Sequence, residues 1–190
     1  MYSTLFKPVI DFLAAFFGLL LLSPLFVIIT LGLFIANQGK PFFFQTRPGK
    51  DEQLFRIVKF KTMNDKKDVT GDLLPDAQRL TKIGNFVRKT SLDEIPQLLN
   101  VLRGDMSLIG PRPLLTHYLH LYSDFQNRRH EVKPGITGWA QINYPYGASI
   151  EDARHKLEYD LYYAKNYTPF LDLLILLQTV RVVLWPDGAR

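Results

Sequence analysis

The chain has 190 residues, which is enough for a domain with its own core. It contains no cysteine, so a disulfide framework and a thiolate metal site are both excluded. The formal net charge of +5 indicates anionic partners, and nucleic acid, anionic lipid and phosphorylated metabolites all fit that charge. Hydrophobic residues make up an ordinary 47% of the chain, but they are concentrated near the N-terminus.

An apolar run without any charged residue covers residues 12–36. It exceeds the roughly 20 residues that a membrane-spanning helix needs, and no Ala-x-Ala-like site follows it, so we expect a retained segment. Ser23-Pro24 near its middle predicts a kink or a break, where the Ser23 hydroxyl can satisfy a backbone group that proline leaves unpaired. From these residues alone, a spanning helix and a re-entrant helix are equally expected.

Basic residues predict the orientation of this segment. Eight of them lie within residues 40–67, directly after the apolar run, whereas only Lys7 precedes it. The positive-inside rule therefore places the domain that follows the run in the cytoplasm. Lys7 and Asp11 lie close to the start of the run and favour an N-terminus at the same face.

The remainder of the chain predicts a mainly helical α+β domain. Pro48-Gly49 is a turn signal between two strand-like runs, and apolar residues at helical spacing recur in the later segments. In chain order we predict a β-hairpin over 41–56, a loop over 64–75, helices over 76–87, 93–102 and 114–129, a mostly loop segment over 131–146, and helices over 149–163 and 170–185. Ser91 and Glu94 fit a capping box at the start of the 93–102 helix, and Ser149 can cap the helix that follows it in the chain.

The last predicted helix carries a stripe of apolar residues, namely Leu173, Leu176, Leu177, Val180 and Leu184. This stripe either packs in the core, which is the more common case, or lies at the membrane surface. Nearby tyrosines, Arg181 and Trp185 are residue types of membrane interfaces, which keeps the second alternative open.

Two adjacent carboxylates, Asp93 and Glu94, stand among basic residues. Arg88 and Lys89 precede them, and Arg112 follows between two prolines. In such a setting the cations hold a phosphate while a carboxylate attacks it or binds a divalent cation, for which Mg²⁺ is preferred. The alternative is a helix cap, in which the anions stabilise the helix N-terminus by roughly 0.3–1 kcal/mol.

Three further segments are candidates for phosphate binding. A proline-flanked Arg112 can present its guanidinium to phosphate in bidentate fashion, or it can be a solvated residue on a rigid turn. Lys59 and Lys61 share one strand face, which suits a phosphate or an anionic lipid equally. The glycine-punctuated segment 133–143, which includes Gln141, can expose backbone donors to phosphate or form a structural turn.

These motifs together resemble the bacterial sugar transferases known as monotopic polyprenyl-phosphate phosphoglycosyl transferases. The resemblance covers nearly the whole chain. It rests on Ser23-Pro24, Thr90-Ser-Leu-Asp93-Glu94-Ile-Pro96-Gln, Gly110-Pro111-Arg112-Pro113, the segment from Lys133 to Asn143, and Asp160-Leu-Tyr-Tyr163. Larger members of the family add N-terminal spanning helices, so this chain would be the minimal catalytic form.

The resemblance implies a reaction and roles for several residues. A phosphosugar would pass from a UDP-sugar to polyprenyl phosphate, with undecaprenyl phosphate expected, and UMP would be released. Asp93 would attack the β-phosphate, carry a covalent phosphosugar and contact Mg²⁺, and Glu94 would assist as a base or by placing the metal. Residues expected to bind substrate are Lys59, Arg88, Arg112 and Gln141.

The resemblance also implies a membrane arrangement. Residues 1–38 would form a re-entrant helix broken at Ser23-Pro24, and residues 39–190 a catalytic domain with a short hairpin and interfacial amphipathic helices. Both termini would lie at the cytoplasmic face of the bacterial inner membrane. Expected partners are the UDP-sugar, polyprenyl phosphate, the lipid bilayer and downstream glycosyltransferases. Nucleic acid is not expected, because the sequence lacks a known nucleic-acid-binding module. The alternative function is a membrane-anchored scaffold that binds anionic lipid or a protein through its basic face.

Overall fold

The computed structural model describes residues 1–144 and 150–184. One long N-terminal helix is followed by a domain of mostly short elements. The helices are α1 (Lys7–Ala36), α2 (Asp76–Arg79), α3 (Lys82–Lys89), α4 (Leu98–Arg103), α5 (Asp124–Asn127), α6 (Trp139–Asn143), α7 (Ile150–Asn166) and α8 (Pro169–Leu184). The strands are β1 (Phe42–Pro48), β2 (Leu54–Phe60), β3 (Ser107–Ile109) and β4 (Gly135–Thr137). Short 3-10 turns cover Lys50–Glu52, Leu92–Gln97, Thr116–Leu121 and Arg128–Glu131, and a π-helical turn covers Tyr2–Phe6.

The helix α1 continues without interruption through Pro24. Pro24 lacks the N–H that would otherwise bond to the carbonyl of Leu20, four residues earlier. The Ser23 hydroxyl donates to that carbonyl at 2.7 Å, so the predicted role of Ser23 is confirmed. Because the hydroxyl replaces the missing donor, the helix continues past the proline and is not broken at Ser23-Pro24, whereas the predicted kink stays a prediction.

The apolar character of α1 is mostly directed outward. Tyr2–Ala36 is a helix long and apolar enough to cross a membrane, and only 11% of its most apolar window is buried. A narrow stripe that includes Ala15, Ile29 and Leu33 packs against the rest of the protein, whereas residues such as Leu21 and Ile35 are 80% exposed. A helix with this much exposed apolar surface fits a lipid environment better than water.

Three hydrophobic clusters hold the described part of the chain together. α1 contributes Ile29 and Leu33 to one cluster and Ala15 to another; only the third lies apart from α1. Their buried members are Ile29, Leu33, Phe60, Val87 and Ile95 in the first, Ala15, Ile57, Val101 and Met106 in the second, and Ile109, Val132, Tyr163, Ala164 and Ile175 in the third. α1 is therefore packed as part of the domain. Full burial of a side chain such as Leu33 stabilises this packing by about 1.5–3 kcal/mol.

Two small sheets frame the centre of the domain. β1 and β2 pair antiparallel with Phe42 opposite Phe60, which confirms the predicted hairpin. β3 and β4 form a parallel pair that the sequence analysis missed, because three-residue strands carry too little periodicity to be recognised. Gly110, just after β3, lies so close to the segment that leads into β4 that a Cβ there would be 2.4 Å from the Lys133 carbonyl oxygen.

Several predicted helices have different boundaries in the structure. The 76–87 helix is divided into α2 and α3, because Thr81 accepts a hydrogen bond from the Gly84 N–H and starts a new helix. Instead of one helix over 114–129, the chain forms short turns around α5, which begins with its own capping box at Ser123. The predicted capping box at Ser91 is wrong, since Ser91 is left-handed at φ 56° and makes no side-chain cap.

The apolar stripe of α8 does not pack in the core. Leu173, Leu176, Leu177 and Val180 are 46–61% exposed, whereas Ile175 on another side of the helix is fully buried. The core alternative is therefore wrong for these four residues. The Ser149 cap, Trp185 and the side chain of Leu184 lie outside the described residues.

Candidate active site

The acidic pair lies in the 3-10 turn Leu92–Gln97, between α3 and α4. Ser91 turns the chain through the left-handed region immediately before the pair. Successive residues of a 3-10 helix project roughly 120° apart, because the helix has about three residues per turn. Asp93 and Glu94 therefore have different surroundings, although they are adjacent in sequence.

Glu94 is held between two cations. Its Oε1 accepts a hydrogen bond from Lys59 Nζ at 2.6 Å and another from Arg112 Nη2 at 2.7 Å. Burial would raise the pKa of Glu94, but the charges and hydrogen bonds of Arg112 and Lys59 together lower it to about 2. Glu94 is therefore ionised at every physiological pH, and a carboxylate with such a low pKa is a poor general base.

For Asp93, burial outweighs the neighbouring cations, so its pKa shifts in the opposite direction to that of Glu94. Burial raises the pKa of Asp93 above its ordinary value of 3.8, and the charge of Glu94 adds to the rise. Lys59 and Arg88 oppose the rise through their charges. Asp93 is thus a partly desolvated carboxylate near cations, which is the environment that makes a carboxylate more reactive toward phosphorus.

Arg112 is positioned by a buried ion pair behind it. The Arg112 carbonyl accepts a hydrogen bond from Arg129 Nη2 at 2.8 Å, and the same nitrogen donates to Asp160 Oδ2 at 2.7 Å. The side chains of Arg129 and Asp160 are 1% and 7% exposed. Arg129 was not predicted from the sequence, and its partner Asp160 entered only as part of the Asp160-Leu-Tyr-Tyr163 motif.

Most of the predicted site residues are brought together. Lys59 and Arg112 contact Glu94, and Arg88 acts on Asp93 through its charge. Lys61 instead pairs with Asp65 at 2.5 Å on the surface. Three cations thus surround two carboxylates, which leaves a positive excess for an anionic ligand.

Gln141 lies across a cavity of about 380 Å³ that reaches Glu94 and Arg112. The Gln141 Oε1 atom is buried and has no hydrogen-bond partner among the residues that the structure describes. A buried acceptor without a partner is costly, and this one lies beside Gly138 on a residue of the cavity wall. This geometry fits the predicted role of Gln141 in substrate binding.

The donor set around Asp93 fits Mg²⁺ that is shared with phosphate. Within residues 1–144 and 150–184, no three histidine, aspartate or glutamate side chains converge as metal ligands. Mg²⁺ is commonly held by one or two carboxylates, with the remaining ligands supplied by water and substrate phosphates. Asp93 suits this role better than Glu94, because Glu94 already neutralises Lys59 and Arg112.

Comparison with known proteins identifies the family. Residues 2–186 match the family model described as bacterial sugar transferase. The chain is 51% identical over 185 residues to the uncharacterized sugar transferase EpsL of Bacillus subtilis (strain 168). This match covers 97% of the chain and 90% of EpsL. The chain therefore belongs to the bacterial sugar transferase family of enzymes, which confirms the resemblance predicted from its motifs.

Two other relatives have names that state their reactions. The UDP-N-acetylgalactosamine-undecaprenyl-phosphate N-acetylgalactosaminephosphotransferase of Aeromonas hydrophila is 41% identical, and the UDP-glucose:undecaprenyl-phosphate glucose-1-phosphate transferase of Escherichia coli (strain K12) is 40% identical. These matches cover 97% and 94% of the chain but 45% and 40% of the two relatives. The chain thus spans less than half the length of these two proteins.

Proposed function

We propose that this chain is a phosphoglycosyl transferase that moves a sugar phosphate from a UDP-sugar to polyprenyl phosphate at a membrane surface. The observation that carries the proposal is the asymmetry of the acidic pair. Glu94 is neutralised by Lys59 and Arg112, while the Asp93 carboxylate is desolvated and faces the positive excess. The names of the Aeromonas and Escherichia relatives supply the substrate classes.

In the proposed first step, an Asp93 Oδ attacks the β-phosphorus of the UDP-sugar. A phosphorus–oxygen bond forms to Asp93, the bond from the β-phosphorus to the bridging oxygen breaks, and UMP leaves with that electron pair. In the second step, a phosphate oxygen of polyprenyl phosphate attacks the same phosphorus and displaces the Asp93 carboxylate. The product is polyprenyl-diphospho-sugar, and Asp93 is regenerated.

Neighbouring residues position the reaction. Lys59, Arg88 and Arg112 offset the charge of the diphosphate, which lets a carboxylate approach it. Glu94 fixes Lys59 and Arg112 at a shared oxygen, so we assign it a positioning role rather than that of a base. When bound, Mg²⁺ would neutralise phosphate charge and polarise the phosphorus, with Asp93 as its protein ligand.

A re-entrant arrangement of α1 is part of this proposal. Both ends of α1 are tied to the same domain: Lys7 pairs with Asp172 in α8 at 2.7 Å, and Asn37 donates to the Lys61 carbonyl. A helix anchored at both ends to one domain suits entry and exit at a single membrane face. The basic residues after α1 support a cytoplasmic location for that face, which in a bacterium is the inner side of the inner membrane.

The reaction is tested by incubating the purified protein with a panel of UDP-sugars and measuring UMP, with and without polyprenyl phosphate and Mg²⁺. We expect UMP release with at least one sugar and a phosphosugar adduct on Asp93 by mass spectrometry. UMP release without any adduct, in rapid-quench samples, would contradict the two-step route. A scaffold that binds lipid or protein predicts no UMP at all, and the transferase relatives lend that alternative no support.

The membrane arrangement is tested separately. Since the chain has no cysteine, single cysteines can be placed at Ser3 and at Lys66 and labelled from each side of sealed vesicles. The proposal predicts labelling of both from the same side, and labelling from opposite sides would mean that α1 spans. Downstream glycosyltransferases are expected to consume the lipid-linked product, and co-purification from membranes tests for a direct contact.

A further inference from the structure

The cavity beside Glu94 and Arg112 has two chemically different ends. At one end are the Glu94–Arg112 ion pair and Gln141. The rest of the described lining is mostly apolar, with Ile95, Leu98, Ile136, Ile142 and Val182 among its members. Asp93 is not among the lining residues, so this cavity approaches the site from the side of Glu94.

Thr137 and Thr179 in the wall need no hydrogen bond from a ligand. Thr137 and Thr179 share a hydrogen bond of 2.7 Å between their hydroxyls, and Thr179 also donates to the Ile175 carbonyl at 2.8 Å. Their hydroxyls are therefore satisfied within the protein. The apolar end needs an apolar occupant, because burying a polar group there without a partner would be costly.

The apolar end lies next to the helices with exposed apolar surfaces. Leu98, in its wall, packs against α1, where a Cβ on Gly18 would be 3.8 Å from the Leu98 Cδ1 atom. Val182, also in its wall, is in α8, whose Leu177 and Val180 are at least half exposed. The apolar end of the cavity is thus lined in part by α8, and its Leu98 wall packs against α1.

We propose that this cavity binds an isoprenoid phosphate: the phosphate lies at Arg112, and the first isoprene units lie against Leu98, Ile142 and Val182. This inference rests on the proposed function and assigns the acceptor to the Glu94 side of the site and the donor to the Asp93 side. Such a ligand has a negative phosphate that complements Arg112 and an apolar chain that matches the lining of the cavity. A UDP-sugar offers no hydrocarbon chain for the Val182 wall.

Two valines of α8 provide a matched pair for the test. Val182 lines the cavity, whereas Val180 is 50% exposed. Titration calorimetry would measure binding of dimethylallyl, geranyl and farnesyl phosphate to the full-length protein in detergent. For the wild type, we expect affinity to rise roughly tenfold or more for each added isoprene unit until the cavity is filled.

Val182→Trp should remove most of this gain with chain length, while Val180→Trp should keep it. Ile142→Phe fills the cavity from the opposite wall and should act like Val182→Trp, which protects the test if one variant does not fold. UDP-sugar affinity should stay within about twofold of wild type in all folded variants, since the donor lies elsewhere. Equal chain-length dependence in Val182→Trp and Val180→Trp would overturn the proposal.

Other results separate the acceptor cavity from the proposed function. Weakened UDP-sugar binding in Val182→Trp, with isoprenoid binding intact, would assign the cavity to the donor and overturn the proposal. Chain-length-dependent binding lost in Val182→Trp supports the cavity even if no UDP-sugar gives UMP. That combination would refute the proposed reaction and keep the isoprenoid site.

Discussion

Two ionic clusters of this protein use the same residue types for different purposes. The N-terminal latch consists of Lys7 and Asp11 of α1, Asp172 of α8, and the hydroxyls of Tyr163 and Ser107. In the latch one cation meets two carboxylates, and each of the four carboxylate oxygens accepts a hydrogen bond from within the protein. In the active-site cluster, three cations meet two carboxylates around Glu94.

The N-terminal latch is structural, because its carboxylates are satisfied within the protein. The latch leaves no carboxylate oxygen for a ligand: Asp172 accepts from Lys7, Tyr2 and Tyr163, and Asp11 accepts from Ser107 and a backbone N–H. Such a satisfied network stabilises one arrangement of the chain. The active-site cluster keeps a positive excess and a desolvated Asp93, which together suit an anionic substrate.

The largest expected effect is on catalysis. Asp93→Asn should lower UMP release by about 10⁴-fold or more, because the nucleophile is lost. Its stability at pH 7 should equal or exceed that of wild type, since burial disfavours the ionised Asp93. Turnover assays and urea unfolding in detergent measure the two quantities. Substantial turnover in Asp93→Asn would remove the distinction between the clusters.

The next effect is on stability. Asp172→Ala should lower the free energy of unfolding by roughly 3–5 kcal/mol, because buried Lys7 loses its 2.7 Å partner and keeps only Asp11 at 3.8 Å. The side chains of Lys7 and Asp172 are 12% and 8% exposed, so water cannot replace the lost contact fully. Turnover per folded molecule should change little. A variant with wild-type stability but lost activity would show that the latch belongs to the catalytic machinery.

Glu94→Gln should give an intermediate loss of activity, on the order of 10–100-fold, because the shared acceptor of Lys59 and Arg112 loses its negative charge. The pH–rate profile makes this prediction specific. Activity needs ionised Asp93, so it falls as the pH drops through the raised pKa of Asp93. Removing the Glu94 charge lowers that pKa, so the acid limb should move to lower pH. A limb that stays in place or moves upward contradicts the assigned coupling.

The smallest effect should come from a third ion pair, which lies on the surface. Asp65→Asn removes the negative charge that pairs with Lys40 and Lys61 and should cost less than about 1 kcal/mol of stability. The Asp65 side chain is 47% exposed, so solvent screens its charge. Unfolding at low and high salt measures this contribution. A loss as large as that of Asp172→Ala would mean that burial does not distinguish the clusters.

Local chemistry explains what could be predicted. The apolar run of α1, the Pro48-Gly49 turn and the carboxylates Asp93 and Glu94 among basic residues are visible in short windows of sequence. The Ser23 hydroxyl bond could also be predicted, because its acceptor, the Leu20 carbonyl, is three residues away. The prediction of one helix over residues 114–129 was wrong, because the periodicity there is weak and tertiary contacts decide the conformation.

The apolar helix, the hairpin, the positive charge and the residue types of the active site follow from the amino-acid sequence alone. The partners of the active-site residues depend on how the chain folds. Folding joins Glu94 to Lys59, 35 residues away, and to Arg112, 18 residues away, and it joins Lys7 to Asp172 across 165 residues. The physical reason is that pKa values and burial depend on neighbours in space, so two adjacent carboxylates acquire different chemistry only after folding.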